Sequence, residues 1–436
     1  MKQDNNQLDR RGFLKLAAAT GAVSVAGSHL GASGADTATP GKMAKMASPG
    51  ASTGPTPSSS VTTAHAIQPV KDNGRLLVVI ELQGGNDGLS TLVPQRDPAY
   101  RKLRSRTLIE PAQALRLNDD FGLHPKLARL QKRGTAVIAG VGTPNPDGSH
   151  FAMMRRWWLG DPTGTASPAA GFFGRCCDVI GDPEAPAVGL SVNSGPTMAL
   201  TSTRVSTLSL PDLGALDLFR SSTDDPQLAA FQHAYRALAN RPGPAAAGMR
   251  RAMSVARSLQ RVSGDHAIPE TKVEYPGSSL SDPLRAAART MAADVGVRVL
   301  HVTLGGFDTH SNHVDTHAGL MDQLDGSIDA FLTDIEQRGF GDRVVVATIS
   351  EFGRRAADNG SNGLDHGAAS VALIAGKAVN PGVHGEPASL TKLDVDGNLR
   401  ATTCMERYYA TLAQWLGIPP GEVLAGDPKP LEGVFR

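Results

Sequence analysis

Cysteine is almost absent from this chain. There are three in 436 residues, and the adjacent Cys176 and Cys177 are poorly placed to bond each other. A disulfide from one of them to Cys404 stays open in an oxidising compartment, but buried free thiols are the favoured reading, so no disulfide framework carries the fold. Charge imbalance is absent too. A net charge of +1 gives no reason to expect nucleic acid or an anionic membrane surface as partner. No stretch of roughly 20 strongly apolar residues could span a bilayer. The glycine-rich turn Gly84-Gly85-Asn86-Asp87-Gly88 lacks the G-x-G-x-x-G spacing of a dinucleotide site. No internal repeat is visible.

What the termini and linkers hold is specific. Asp9-Arg10-Arg11-Gly12-Phe13-Leu14-Lys15 is a twin-arginine segment, followed by a mildly apolar stretch and small residues at Ser33-Gly34-Ala35. The expectation is a removable Tat export signal over 1–35, with a retained basic anchor helix as the alternative. Residues 36–74, rich in Ala, Ser, Thr, Pro and Gly, have almost nothing to bury and read as a disordered linker. The folded body is then 75–436.

Within that body apolar runs alternate with helical patterns. Strands are expected at 75–82, 135–140, 296–304, 343–349 and 370–375. Helices are expected from His124-Pro125, at 225–240, 245–263, 284–295, 314–338 and 405–416. This alternation predicts an α/β fold, a mainly parallel sheet covered by helices on both faces. Ligands of such sheets bind beyond the carboxyl ends of the strands.

Acidic and histidine residues collect at those ends. Asp87 follows the first strand, Asp308 and His310 the third, and Glu351 the fourth, while Asp365-His366-Gly367 closes a polar loop. Carboxylates and imidazoles delivered to one crevice suit a divalent metal, zinc first, with calcium, magnesium or manganese as alternatives. Each also has a plainer reading. Asp87 could satisfy its own turn, Asp308 or Thr309 could cap a helix, Glu351 could pair with Arg354 or Arg355, and Asp365 could orient His366 without touching metal. Ser149-His150 precedes a helical segment, where Ser149 is either an N-cap or a group activated at a helix N-terminus.

Together, Glu81–Leu89, His124-Pro125, Ser149-His150-Phe151, Gly306–His310, Ser350–Arg354 and Asp365–Gly367 resemble the bacterial Tat-exported domain-of-unknown-function family 1501. That family is similar to the alkaline phosphatase and sulfatase superfamily. The resemblance implies an exported, periplasmic or secreted hydrolase of phosphate or sulfate esters. Its metal ligands would be drawn from Asp87, Asp308, His310, Glu351, Asp365 and His366. Its catalytic groups would be Ser149 as nucleophile, His150, and Arg354 (or Arg155) as a clamp on the oxyanion. The implied partners are a small-molecule or polymer ester and, during export, the Tat translocase, with no nucleic acid and no stable membrane insertion. Two departures matter: the Asp-x-x-x-His spacing is missing after Asp308, and Phe352 stands where a histidine is expected. They leave open one metal instead of two, or a non-catalytic binding protein with a structural metal. No cysteine lies in a C-x-P-x-R context, which argues against a formylglycine nucleophile.

Overall fold

A computed structural model describes residues 73–436 apart from 166–167, 193–196, 211–225, 244–245, 247–249, 251–252 and 254–270. The expected export signal, nearly all of the expected linker and most of the expected helix at 245–263 therefore lie outside the described residues.

A nine-stranded sheet organises the chain. Its strands are β1 (Leu76–Leu82), β2 (Ala136–Gly142), β3 (Gly189–Val192), β4 (Thr207–Leu210), β5 (Val299–Leu304), β6 (Val344–Ile349), β7 (Ser370–Ala375), β8 (Gly382–His384) and β9 (Thr403–Cys404). They lie in the order β8-β2-β7-β6-β1-β5-β3-β4, with β9 also on β2. All pairings are parallel except the two made by β7, with β6 and with β2. The sheet is thus mostly parallel, as the alternation of apolar runs predicts.

Every residue of β1 is buried, because both faces of the sheet are covered. Leu76, Val78, Ile80 and Leu82 face one core with α4 (Ser281–Ala292) and α5 (His313–Gln337). The alternate residues Leu77 and Val79 face a second core. Its helices are α1 (His150–Leu159), α2 (Phe172–Ile180) and α6 (Met405–Trp415); a further long helix among the described residues is α3 (Pro226–Ala239). Cys176 and Cys177 lie in the second core as free, buried thiols, and Cys404 is free and exposed. Several element boundaries shift, among them the strand expected from 296, which begins at Val299, and two helix starts. The helix expected from His124 begins only at Ala128, because the His124 ring accepts the Lys126 amide (3.1 Å) in a turn. Helix α4 starts three residues before Leu284, with Pro283 in a first turn that needs no amide donor.

Register fixes where the loops go. Leu82 pairs with Leu304 and Glu81 with Ile349, so the loops after β1, β5 and β6 leave from one sheet edge. Antiparallel β7 reaches the same edge with its amino end, and Ser370 pairs with Val141 near the carboxyl end of β2. Five chain segments therefore converge there: 83–88, 143–150, 305–310, 350–354 and 365–369. No helix among the described residues is long and apolar enough to cross a membrane.

Candidate metal centre at the sheet edge

Glycine lets the loops close on one another. Gly84 and Gly85 both have positive φ (116° and 89°). A Cβ at Gly84 would lie 2.3 Å from the Asp308 amide nitrogen, and one at Gly85 would lie 2.6 Å from the Phe352 ring. Only a residue without a side chain permits both the conformation and the approach. The segments Gly353–Arg355 and Asp365–Ala368 then pair through backbone hydrogen bonds, which places His366 beside the end of β6.

Asp308 is the hub. Its Oδ1 lies 3.1 Å from His310 Nε2, 3.2 Å from His366 Nε2 and 3.5 Å from His150 Nε2. Each imidazole is anchored on its other nitrogen. His150 Nδ1 meets Glu351 Oε1 at 2.8 Å, His310 Nδ1 meets Asp365 Oδ1 at 3.1 Å, and His366 Nδ1 meets the Gly148 carbonyl at 2.8 Å. With Nδ1 donating to an oxygen, the Nε2 lone pair points inward, the tautomer a metal ligand needs. His310 and His366 bring their Nε2 atoms to 2.9 Å. Two such lone pairs repel unless a proton or a cation sits between them. His150, Asp308 and His366 offer ligand atoms within 4.8 Å of one another, and His310 adjoins them. Three imidazoles and one carboxylate, each imidazole oriented from behind, fit a zinc-like divalent ion.

Burial by itself would raise the Asp308 pKa, but the Arg354 hydrogen bond, the His366 hydrogen bond and the nearby charges hold it at about 2. The Asp365 carboxyl is likewise lowered, chiefly by its hydrogen bond from Asn359. Asp308, His310, His150 and His366 keep 49%, 44%, 33% and 24% of their side chains exposed, so the cluster opens to solvent. A purely structural ion is usually enclosed.

Several sequence expectations change role. Glu351, expected as a ligand, is buried behind His150; its carboxylate also accepts from the Gly84 amide (2.7 Å) and faces the Ser350 hydroxyl (3.2 Å). Asp365, also expected as a ligand, spends Oδ1 on His310 and on Asn359 Nδ2, 3.1 Å from each. Arg354, expected to clamp substrate, is fully buried. Its guanidinium donates to the carbonyls of Gly84, Gly85, Phe307 and Leu364 and to Asp308, and with no exposed surface it presents no face to a ligand. Arg354 ties the loops together and positions Asp308.

Asp87 lies outside the cluster. Buried, it caps the turn Gly88–Thr91 and accepts a two-pronged ion pair from Arg104 (2.8 Å to each oxygen). His313 Nε2 adds a contact at 3.3 Å. Burial raises the Asp87 pKa, but Arg104 and His313 outweigh it and hold the carboxyl well below the usual range. Ser149 is exposed and is the N-cap of α1, its hydroxyl accepting from the Ala152 amide at 3.4 Å. The residue turned into the cluster is the next one, His150. Sequence reasoning named His150 as a catalytic group and not as a ligand; its place at a helix start just beyond a strand end was the available signal. Arg104 had none, because nothing in its local sequence marks a partner for Asp87.

Fold and site together define an α/β protein with a three-histidine, one-aspartate centre at the carboxyl edge of its sheet. The chain belongs to the family described as "Protein of unknown function (DUF1501)", whose profile matches residues 75–426. Similar solved structures include a protein of the alkaline phosphatase superfamily from Vibrio parahaemolyticus, with 10% identity, TM-score 0.38, and coverage of 82% of this chain and 70% of that one. Lipoteichoic acid synthase LtaP from Listeria monocytogenes has 10% identity and TM-score 0.37, covering 82% and 74%. The zinc complex of the C-terminal periplasmic domain of EcEptC from Escherichia coli has 10% identity and TM-score 0.36, covering 81% and 87%. Likeness of this degree carries no argument about chemistry. No curated protein matches the chain.

Proposed function

We propose that the protein is an exported hydrolase of phosphate or sulfate esters that works with one divalent metal, zinc first. The observation that carries this reading is the convergence of three anchored Nε2 atoms on Asp308 in a solvent-open site. When bound, such an ion supplies Lewis-acid polarisation of an ester oxygen and a lowered pKa for an oxygen nucleophile. His150, His310 and His366 would hold it with Asp308, while Glu351, Asp365 and the Gly148 carbonyl keep the rings aligned. Ser149 stands one residue from His150, and its hydroxyl holds the Ala152 amide only loosely, at 3.4 Å. Its hydroxyl can therefore turn from the cap toward an ester phosphorus or sulfur. Two ions are not favoured, because Asp87 is sealed with Arg104.

Export rests on Arg10-Arg11 and the stretch that follows, with the Tat translocase as transient partner and the periplasm or medium as destination. Fractionation of cells carrying Arg10→Lys/Arg11→Lys tests it; unchanged export sinks the idea.

A second reading has one observation in its favour. Arg354 is fully buried among carbonyls and Asp308, so it does not reach a transferred phosphoryl group. A binding protein with a structural ion would look the same there. The test is elemental analysis of purified protein with a panel of phosphate monoesters, diesters and sulfate esters. Stoichiometric metal and chelator-sensitive turnover are expected. Metal without turnover on any ester favours the binding protein, and absence of bound metal removes both readings. Ser149→Ala should abolish turnover in the metal-loaded enzyme; undiminished turnover leaves water as the nucleophile.

A further inference from the structure

A second concavity borders the loops of the metal centre through Gly88, Ala369 and Ser370. It has a volume of about 490 Å³, within the range of small-molecule sites. Leu89, Leu92, Ala139, Ala369, Leu390 and Leu399 form its apolar lining, each less than a tenth exposed. Arg96, Asp97 and Asp120 lie along it too and carry both signs of charge. Asp97 is occupied as a helix cap, and Arg96 has a loose partner in Asp119 at 3.8 Å. None of the metal-centre residues contributes to the lining.

The cavity is built, not a gap between mobile pieces. One wall is the excursion from Glu386 to Thr402, between β8 and β9. The Thr402 hydroxyl bonds the Glu386 carbonyl, the Thr402 amide bonds the Gly140 carbonyl (3.0 Å), and the Ala369 amide bonds the Leu399 carbonyl (3.1 Å). Within the excursion, Asp394 accepts from the Asn398 amide (2.7 Å) and side chain (2.9 Å). Opposite it, Ser370 donates to the Asn86 carbonyl at 2.7 Å. Walls fixed at this many points hold an apolar hollow open, and leaving such a hollow in water forfeits the contact energy that a fitted ligand restores.

We propose that this cavity binds an apolar small molecule, recognised by its hydrocarbon body and not by charge, since the charged side chains along it are of mixed sign. The proposal is independent of the metal centre. The probe is N-phenylnaphthylamine, titrated by fluorescence against the purified full chain, with decanoate and naphthol as competitors. Saturable binding that survives chelation is expected. Displacement by decanoate assigns an alkyl chain, and displacement by naphthol alone assigns a ring. Leu399→Trp, which fills the hollow, should weaken probe binding at least about tenfold, a loss of about 1.4 kcal/mol. Should that variant fail to fold by circular dichroism, Ala388→Trp on the half-buried loop wall decides. Non-saturable binding, loss of binding on chelation, or undiminished binding by the folded tryptophan variant overturns the proposal.

Discussion

At the scale of single residues, the groups that hold the histidines matter nearly as much as the histidines. Glu351→Ala and Asp365→Ala each leave an Nδ1 without its acceptor and let the ring turn. Each should weaken metal affinity by roughly 10–100-fold, read by competition with a chromophoric chelator. Alanine at His150, His310 or His366 should cost more than either. An unaltered affinity in Glu351→Ala would mean that Glu351 is no orienting group. Arg104→Leu acts on stability instead. It strands the buried Asp87 carboxylate and should cost about 3–5 kcal/mol in urea unfolding. A loss under 1 kcal/mol, roughly that of an exposed pair, would contradict the sealed-pair reading.

At the scale of elements, the site depends on loops pressed together without side chains between them. A Cβ at Gly363 would meet the His310 carbonyl carbon at 2.2 Å, and one at Gly353 would meet the Ala369 carbonyl oxygen at 2.0 Å. Both contacts are with backbone, so the loop must move and carry its histidine with it. Gly363→Ala should therefore lose metal binding while the far-ultraviolet circular dichroism of the sheet and helices stays native. Retained affinity would show that the loops have more freedom than their packing suggests. The same reasoning explains a limit of the sequence. Ser350–Arg354 and Asp365–Gly367 are legible as strand-flanking motifs, but that antiparallel β7 brings the second beside the first is a matter of pairing, which short apolar runs do not encode.

At the scale of the whole molecule, a histidine group under the site ties stability to pH. Burial lowers the His124 pKa to about 4, helped by neighbouring His313, and burial pushes His317 well below its ordinary value. Both rings are neutral in the folded state, while the unfolded chain takes up protons from about pH 6.5 downward. The unfolded state then binds more protons, so stability falls as pH drops from about 6.5 toward 4, with each ring contributing up to about 1.4 kcal/mol per pH unit. Asp87 adds its loss at lower pH, because its depressed pKa stabilises the fold only while the carboxyl is ionised. Urea unfolding of chelator-treated protein across this range checks the slope; His124→Phe should flatten it, and an unchanged slope would assign it elsewhere.

The order of elements, the two-sided burial of β1 and the parallel character of the sheet were written in local pattern. An unbroken apolar run can be satisfied only between two layers of helix, and periodicity along α5 shows one such layer directly. The positions of Asp308, His310 and His366 at a sheet edge were legible for the same reason: a polar cluster after a buried strand has to emerge there. What only the tertiary structure decided is the division of labour among acids that look alike in sequence. Asp87, Asp308, Glu351 and Asp365 all lie in or beside loops at that edge. Contacts 17 to 201 residues distant make one a sealed ion-pair partner, one the hub and two the orienters of histidine. A carboxylate's role is set by what faces it, and that is a property of packing.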